Sequence, residues 1–99
     1  MRSGYKLYWT DNAVLDLRNI IDYLRYKWTA REVKNFVRRL DRRLELIQLN
    51  PRLFPKTSKK KNVRRSVLTK HTTIYYEITD KLIRIVALFD SRQDPKKLR

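Results

Sequence analysis

The residues with the clearest chemical potential are basic, and they concentrate in one segment of the chain. Between Leu46 and Tyr76 there is no Asp or Glu, whereas eight Lys and Arg side chains occur there. They are Arg52, Lys56, Lys59, Lys60, Lys61, Arg64, Arg65 and Lys70. Clustered cations neutralise phosphates, so this segment is predicted to follow a phosphate backbone. A merely solvated loop tip is the alternative for the lysine run at 59–61.

Two further side chains are candidates for specific chemistry. His71 is the one histidine of the chain, and an imidazole with a pKa of about 6.5 suits proton transfer at neutral pH. A solvated loop histidine is the alternative. Arg92 lies between Asp90 and Asp94, which either orient its guanidinium for a specific task or clamp the end of the chain.

Composition limits the classes of function. The 99 residues carry 25 Lys and Arg against 10 Asp and Glu, a formal net charge of +15, which favours nucleic acid, ribosome or an acidic protein as partner. Cysteine is absent and histidine is single, so disulfides are excluded, and we expect neither a metal nor another cofactor. Without a signal peptide or a membrane-length apolar run, we expect one cytoplasmic domain spanning residues 1–99.

Three runs rich in β-branched and aromatic residues predict the strands that carry these side chains. They are residues 63–68, 72–78 and 82–89, and their short connections favour an antiparallel meander. A turn at Thr79-Asp80 is predicted to set Ile78 opposite Lys81. In the middle strand, alternation places Thr72, Ile74, Tyr76 and Ile78 on one face and Thr73, Tyr75 and Glu77 on the other.

The two faces of this sheet are expected to differ in accessibility. Alternation in the last strand sets Leu82, Val86 and Leu88 against Ile83, Ile85, Ala87 and Phe89, so both faces are apolar. Two helices cover one face, and a second protein is expected to complete part of the other. Arg84 is expected to pair with Glu77, with a general-base role for Glu77 as the alternative. Arg64 and Arg65 point to opposite faces, so only one joins an accessible surface.

A short strand and two amphipathic helices precede the meander. Alternation predicts a strand at 5–9, and the capping residues at 10–12 begin a helix that extends from about Asn12 to Trp28. Thr29 and Glu32 predict a capping box for a second helix, which ends at Asn50-Pro51. The apolar stripes are Val14, Leu17, Ile20, Ile21, Leu24 and Trp28, then Val33, Phe36, Val37, Leu40, Leu44 and Ile47. They predict a helical hairpin packed on the sheet.

The order of elements and several segments resemble the RelE/ParE superfamily of type II toxin–antitoxin toxins. The matching segments are YKLYWTDNAVLDLRNIIDYL, LELIQLNPRLFP, TIYYEI and IRIVALFDSRQDPKKL. The most specific are Tyr-Tyr-Glu-Ile and the polar hook from Phe89 to Pro95. The resemblance implies an α+β fold: an N-terminal strand, an antiparallel two-helix hairpin, and a three-stranded antiparallel meander that completes a small sheet packed on the helices.

The resemblance also implies a cytoplasmic toxin that an acidic antitoxin neutralises within a hetero-oligomer. Superfamily members fall into two functional classes. RelE-like members cleave messenger RNA on the ribosome, whereas ParE-like members inhibit DNA gyrase. RelE-like catalysis uses lysines and an arginine on the second and third strands, an arginine beyond the last strand, and a tyrosine near the C-terminus.

This catalytic set is only partly matched. Arg64 and Arg92 fit two positions, but Ser66 replaces a lysine, Thr73 replaces an arginine, and no tyrosine follows Tyr76. We therefore expect a ParE-like gyrase inhibitor. The alternatives are a metal-independent RelE-like endoribonuclease and a non-catalytic nucleic-acid-binding module. For these, the candidate catalytic residues are Arg64, His71 and Arg92, and the residues expected to bind nucleic acid or an acidic partner are Lys59, Lys60, Lys61, Arg64, Arg65, Lys70 and Arg92.

Overall fold

The computed structural model describes residues 4–58 and 62–92. Their secondary-structure elements are β1 (Lys6–Trp9), α1 (Asp11–Lys27), α2 (Ala30–Leu49), β2 (Val63–Val67), β3 (Thr72–Thr79) and β4 (Leu82–Asp90). The four strands form one sheet, and apolar side chains of both helices pack against it. The predicted α+β architecture, with its helical hairpin and antiparallel meander, is confirmed. Neither helix is long and apolar enough to cross a membrane.

The strand order is β1-β4-β3-β2, so the last strand of the described chain is internal. β2, β3 and β4 pair antiparallel, as predicted. β1 runs parallel to β4, with Leu7 beside Ile83 and Trp9 beside Ile85. The core forms between this sheet and the helices, and Tyr76 is its largest fully buried side chain.

Helix α1 is anchored to β4 through its N-cap. The Thr10 hydroxyl accepts from the Ala13 amide at 3.1 Å and donates to the Ile85 carbonyl oxygen at 3.0 Å. Because this anchor fixes the rotation of the helix, Ala13, one turn later, faces the sheet and is fully buried. The predicted stripe was wrong at its two ends. Val14 is 42% exposed, and Trp28, which caps the C-terminus, is 53% exposed.

Helix α2 follows its predicted stripe. Phe36, Leu40, Leu44 and Ile47 are buried. The predicted capping box was wrong, because the Thr29 side chain makes no capping bond and its backbone carbonyl instead accepts from the Glu32 amide at 3.0 Å. Only two residues separate the helices, so the reversal of the chain dictates how Thr29 is oriented.

The turn between β3 and β4 lies one residue later than predicted. Thr79 pairs with Leu82, and Ile78 pairs with Ile83 rather than with Lys81. Asp80 adopts a φ of 50°, in the left-handed region that Asp tolerates better than most residues. The shift aligns apolar side chains across the hairpin.

A β-bulge at Val86 changes which residues of β4 face the core. Tyr75 pairs with Ala87 and Tyr76 with Ile85, so Val86 is the extra residue. An extra residue reverses the alternation beyond it. Ala87 and Phe89 therefore lie on the face opposite to Ile85, contrary to the prediction from strict alternation. The buried residues of β4 are Ile83, Ile85, Leu88 and Asp90.

Candidate target-binding face of the sheet

The sheet face directed away from the helices is open and holds a groove of about 870 Å³. We call it the outer face. Three large apolar side chains remain accessible on it: Tyr8 is 50%, Val67 55% and Phe89 42% exposed. Isolated apolar side chains are ordinary on a surface. Val67 and Phe89, however, flank Thr73 on adjacent strands and form an accessible apolar pair, which is a candidate contact for a partner. No part of the described chain covers them.

Polar and charged side chains converge on the groove. Its lining includes Lys56, Arg65, Tyr75, Glu77 and Arg84. Glu77 and Arg84 pair across β3 and β4, and the Arg84 Nη1 to Glu77 Oε2 distance is 3.0 Å, as predicted for this hairpin. Arg65 lies opposite Tyr75 in the register of β2 and β3. The groove therefore combines three cations, one carboxylate and one phenol.

The N-terminus of α1 borders the groove and is tied to the bulge. Asn12 Nδ2 donates to the Val86 carbonyl oxygen at 3.1 Å, and Thr10 also lines the groove. The Leu88 amide donates to Asp16 Oδ2 at 3.0 Å. These bonds use backbone groups of β4 that lie beside the irregular pairing, so the bulge is held in place by α1.

Arg92 is clamped by Asp90 just beyond β4. Arg92 Nε lies 3.0 Å from Asp90 Oδ1, and Nη2 lies 2.8 Å from Oδ2. The Thr72 hydroxyl also donates to Asp90 Oδ2, at 3.1 Å. The Arg92 guanidinium lies 5.3 Å from the centre of the Tyr23 ring on α1, within cation–π range. This arrangement favours the clamp over the alternative of a guanidinium held ready for a ligand.

The electrostatics of the clamp favour the ionised pair. Burial raises the pKa of Asp90, but the side-chain and backbone hydrogen bonds and the charge of Arg92, with the Thr72 bond, outweigh it and lower the pKa below its usual 3.8. The hydrogen bond to Asp90 raises the pKa of Arg92, against the opposing effect of burial. The carboxylate is therefore ionised at neutral pH and satisfied within the chain.

Arg64 also makes hydrogen bonds within the fold. It pairs with Tyr76 on the core side of the sheet, and its Nη1 donates to the Phe54 carbonyl oxygen at 2.7 Å. The Tyr76 hydroxyl donates to the Pro51 carbonyl oxygen at 2.7 Å. Burial, partly offset by the charge of Arg64, raises the pKa of Tyr76 to about 12. The pair fastens the loop after α2 to the sheet, and Arg65 is the arginine that faces outward.

Lys70 and His71 lie in the turn between β2 and β3. Lys70 is exposed and His71 is half-buried. The His71 carbonyl oxygen accepts from the Ser91 amide at 2.9 Å, so His71 lies at the same end of the sheet as Arg92. Neither residue lines the groove.

The candidate catalytic residues are not assembled into one site. Arg64 pairs with Tyr76, whereas Arg92 follows the Thr72–Asp90 pair, four residues farther along β3 and two strands away. At about 3.3 Å per residue, the separation along the strand alone is about 13 Å. Of the remaining predicted positions, Lys59, Lys60, Lys61, Asp94 and Pro95 lie outside the described residues.

Ser66, which replaces a lysine of the RelE-like pattern, has a structural role. Ser66 is fully buried, and its Oγ accepts from Arg43 Nη1 at 2.7 Å. The same nitrogen donates to the Val67 carbonyl oxygen at 2.8 Å. Ser66 thus serves to join α2 to β2. Thr73 lies on the outer face, between Val67 and Phe89.

Lys56, Tyr75 and Arg84 are groove residues that the sequence did not single out as a site. Alternation in β3 already set Tyr75 and Glu77 on one face, and the Glu77–Arg84 pairing placed Arg84 beside them. That signal was sufficient to place Tyr75 and Arg84 beside Glu77, whereas Lys56 reaches the groove through the path of a loop. In the described part of the chain, no three His, Asp or Glu side chains converge in a way that could hold a metal ion.

Comparison with known proteins identifies the family. A sequence profile described as ParE toxin of type II toxin-antitoxin system, parDE, matches residues 7–95. The chain belongs to the ParE toxin family. A sequence comparison with curated proteins finds no match.

Solved structures share the fold of this ParE-family toxin at low sequence identity. The chromosomal ParDE system from P. aeruginosa matches with a TM-score of 0.76 and 19% identity, covering 88% of this chain and 96% of that one. The E. coli DinJ-YafQ toxin-antitoxin complex matches with a TM-score of 0.64 and 16% identity, covering 90% of this chain and 94% of that one. The YoeB dimer from Staphylococcus aureus matches with a TM-score of 0.64 and 15% identity, covering 88% of this chain and 97% of that one.

Within the ParE-family fold, the features of this chain fall into two groups. The Asp90–Arg92 clamp and the Arg64 contacts hold the ends of the sheet and its loop in place. The outer face carries accessible aromatic and basic side chains above a groove. The second group is the candidate site.

Proposed function

We propose that this toxin acts by binding and inhibiting DNA gyrase through its outer face, and that an acidic antitoxin neutralises it in the cytoplasm. Membership of the ParE family supports the first part. The formal charge of +15 supports the second, since an acidic partner is attracted to so basic a surface. The function is one of recognition, and no chemical step is required of the chain.

The engagement of Arg92 by Asp90 carries this proposal. A nucleolytic toxin needs free cations to neutralise the charge that develops on a phosphate. Arg92 instead donates to the carboxylate of Asp90, whose side chain is 1% exposed, and Arg64 donates to loop carbonyl oxygens. The two arginines that match the RelE-like pattern are thereby used as structural groups.

The outer face has the composition of a protein-binding surface. Aromatic and basic side chains with a few polar partners are the groups that anchor interfaces. Tyr8, Phe89 and Tyr75 provide apolar area, and Arg65 provides charge beside the groove.

A supercoiling assay tests the proposal. The purified toxin is added to gyrase and relaxed plasmid, and we expect inhibition at micromolar concentration. Tyr8→Ala combined with Phe89→Ala should weaken inhibition at least tenfold, while Tyr26→Ala, which alters an 83% exposed tyrosine on α1, should not. Unchanged supercoiling at micromolar wild-type toxin would refute gyrase inhibition.

A second candidate function rests on the groove itself. Glu77 is a carboxylate placed among Lys56, Arg65 and Arg84, an arrangement that suits metal-independent RNA cleavage. In such a reaction the carboxylate takes the proton of the 2′-hydroxyl, and the cations stabilise the phosphorane. The freed 2′-oxygen attacks phosphorus, the bond to the 5′-oxygen breaks, and an acid protonates the leaving oxygen. Tyr75 is the candidate acid.

Primer extension on a reporter message after induction separates the two functions. Codon-linked cuts that disappear in Glu77→Gln would establish cleavage. Arrested growth without such cuts supports gyrase as the target.

A further inference from the structure

The groove of the outer face holds one carboxylate among its cations. Lys56, Arg65 and Arg84 line the groove, and Glu77 is the acidic residue of that lining. Arg84 forms an ion pair with Glu77, whereas neither Lys56 nor Arg65 forms one with any described residue. The groove therefore presents two unpaired cations beside one neutralised pair.

Strand pairing fixes Glu77 at this position. In the register of the sheet, Glu77 lies between Val63 on β2 and Arg84 on β4, and its Oε2 accepts from Arg84 Nη1 at 3.0 Å. Both side chains of the pair are partly exposed, and an ion pair that water reaches stabilises a fold only a little. The position of Glu77 therefore matters more for what the groove binds than for the stability of the sheet.

A carboxylate at this position disfavours phosphates. A phosphate that reaches Arg84 is brought close to Glu77 as well, and like charges placed side by side weaken binding. Arg84 must also give up its bond to Glu77 before it can hold the phosphate. Because a nucleic-acid backbone offers only anions, it has no group that can bind Glu77.

A polypeptide can satisfy the whole groove. Its hydroxyl, amide or ammonium groups can donate to Glu77, and its carboxylates can face Lys56 and Arg65. Its apolar side chains can cover the accessible pair formed by Val67 and Phe89. A surface with charges of both signs thus favours a protein partner over a polyanion.

We propose that Glu77 determines the specificity of the outer face, because it weakens the binding of nucleic acid in the groove and leaves the groove to a protein target. The inference rests on the proposed binding of gyrase through the outer face. A chain with a formal charge of +15 attracts nucleic acid. Without Glu77, nucleic acid would compete with the target for the same surface.

Binding of a single-stranded DNA, followed by fluorescence anisotropy, tests the inference. The DNA has about 20 nucleotides, longer than a typical single-strand site, and it lacks the 2′-hydroxyl that cleavage requires. The test variant is Glu77→Gln, which removes the charge and keeps the shape of the side chain. The matched control is Asp80→Asn, which makes the same change of charge at an exposed position in the turn of the same hairpin. Asn tolerates the positive φ of this position as Asp does.

We expect Glu77→Gln to bind this DNA about tenfold more tightly than the wild type. Asp80→Asn should gain less than about threefold, because salt screens a charge outside the groove. The logarithm of the binding constant should fall more steeply with the logarithm of the salt concentration in Glu77→Gln, by about 0.7, the increment for one further phosphate of a single strand. Adding Arg84→Gln to Glu77→Gln should return the affinity to about that of the wild type, and circular dichroism confirms that each variant is folded.

A competition assay connects this binding to the target. The toxin concentration that halves gyrase supercoiling is measured with and without an excess of the same DNA. The ratio of the two concentrations should be the same for the wild type and Asp80→Asn. It should be larger for Glu77→Gln, because the DNA then occupies the surface that binds gyrase.

Three outcomes would overturn the inference. One is equal DNA affinity of Glu77→Gln and Asp80→Asn, and another is weaker DNA binding by Glu77→Gln than by the wild type. The third is tighter DNA binding by Glu77→Gln without a larger competition ratio, which would place the DNA on another surface. If the wild type leaves supercoiling unchanged, the gyrase proposal fails, whereas the anisotropy measurements still decide whether Glu77 keeps nucleic acid out of the groove.

Discussion

The Arg92 guanidinium donates to both oxygens of the Asp90 carboxylate, at 3.0 and 2.8 Å, while the Asp90 side chain is only 1% exposed. The Arg92 amide adds a third bond, to Asp90 Oδ1 at 2.9 Å. A two-point ion pair fixes orientation as well as distance. The clamp thereby joins the end of β4 to Thr72 on β3 and to Tyr23 on α1.

Asp90→Asn should destabilise the fold by about 2 kcal/mol, because it removes the charge from a buried hydrogen-bonded pair while Arg92 can still reach water. Urea unfolding monitored by circular dichroism gives the value. Glu77→Gln is the matched control, since it breaks a pair whose side chains are 38% and 28% exposed, and it should change stability by less than about 1 kcal/mol. Equal losses in the two variants would contradict a structural role specific to the clamp.

The same clamp predicts loss of stability in acid. The folded pKa of Asp90 lies below its usual value of 3.8, so below that value the unfolded chain binds the proton more readily than the folded chain does. The contribution of Asp90 is complete above pH 3.8 and is lost as the pH falls through the folded pKa. Free energies of unfolding measured from pH 6 to pH 2 should decline less steeply in Asp90→Asn than in the wild type. Parallel curves would refute the linkage.

Tyr76 predicts a second loss of stability in alkali. Its folded pKa is about 12, against an ordinary value of 10.0 for a tyrosine phenol, so between these values the unfolded chain releases the proton first. Stability should therefore fall as the pH rises from 10 to 12, by about 2 to 3 kcal/mol. Tyr76→Phe removes this slope and the bond to Pro51. Tyr26→Phe, on the exposed surface of α1, is the control and should keep the slope.

Arg43 and Ser66 should show energetic coupling. Arg43 Nη1 joins the buried Ser66 hydroxyl to the Val67 carbonyl oxygen, so Arg43→Ala should cost about 1 to 2 kcal/mol. A double-mutant cycle with Ser66→Ala should give a coupling energy of at least about 0.5 kcal/mol. Arg39→Ala, on an exposed neighbouring position of α2, should be close to neutral. Additive effects of Arg43→Ala and Ser66→Ala would show that the tie contributes little.

The elements of the fold were predictable because their apolar periodicities are clear. The stripe of α2 and the two faces of β3 follow directly from spacing. The bulge at Val86 could not be predicted, because Val86 and Ala87 are both apolar and leave the hydrophobic pattern unbroken. Without the bulge, the inward orientation of Asp90 could not be inferred, and the alternatives for Arg92 stayed open.

The site was predictable only where strand pairing alone determines contacts. The Glu77–Arg84 pair follows from the hairpin. The bond from Arg64 to the Phe54 carbonyl oxygen depends on the path of the loop after α2, which no local pattern encodes. The lysine-rich segment was predicted as a phosphate-binding face, and that remains a prediction.

The internal position of β4 also has a consequence for biosynthesis. Among the described strands, β1 pairs with β4 alone, so β1 cannot pair until the segment Leu82–Asp90 has been synthesised. A chain interrupted before Leu82 lacks the strand that joins β1 to the meander, and the outer face does not exist on it. The outer face proposed to bind gyrase is therefore assembled only after the segment Leu82–Asp90 has been synthesised.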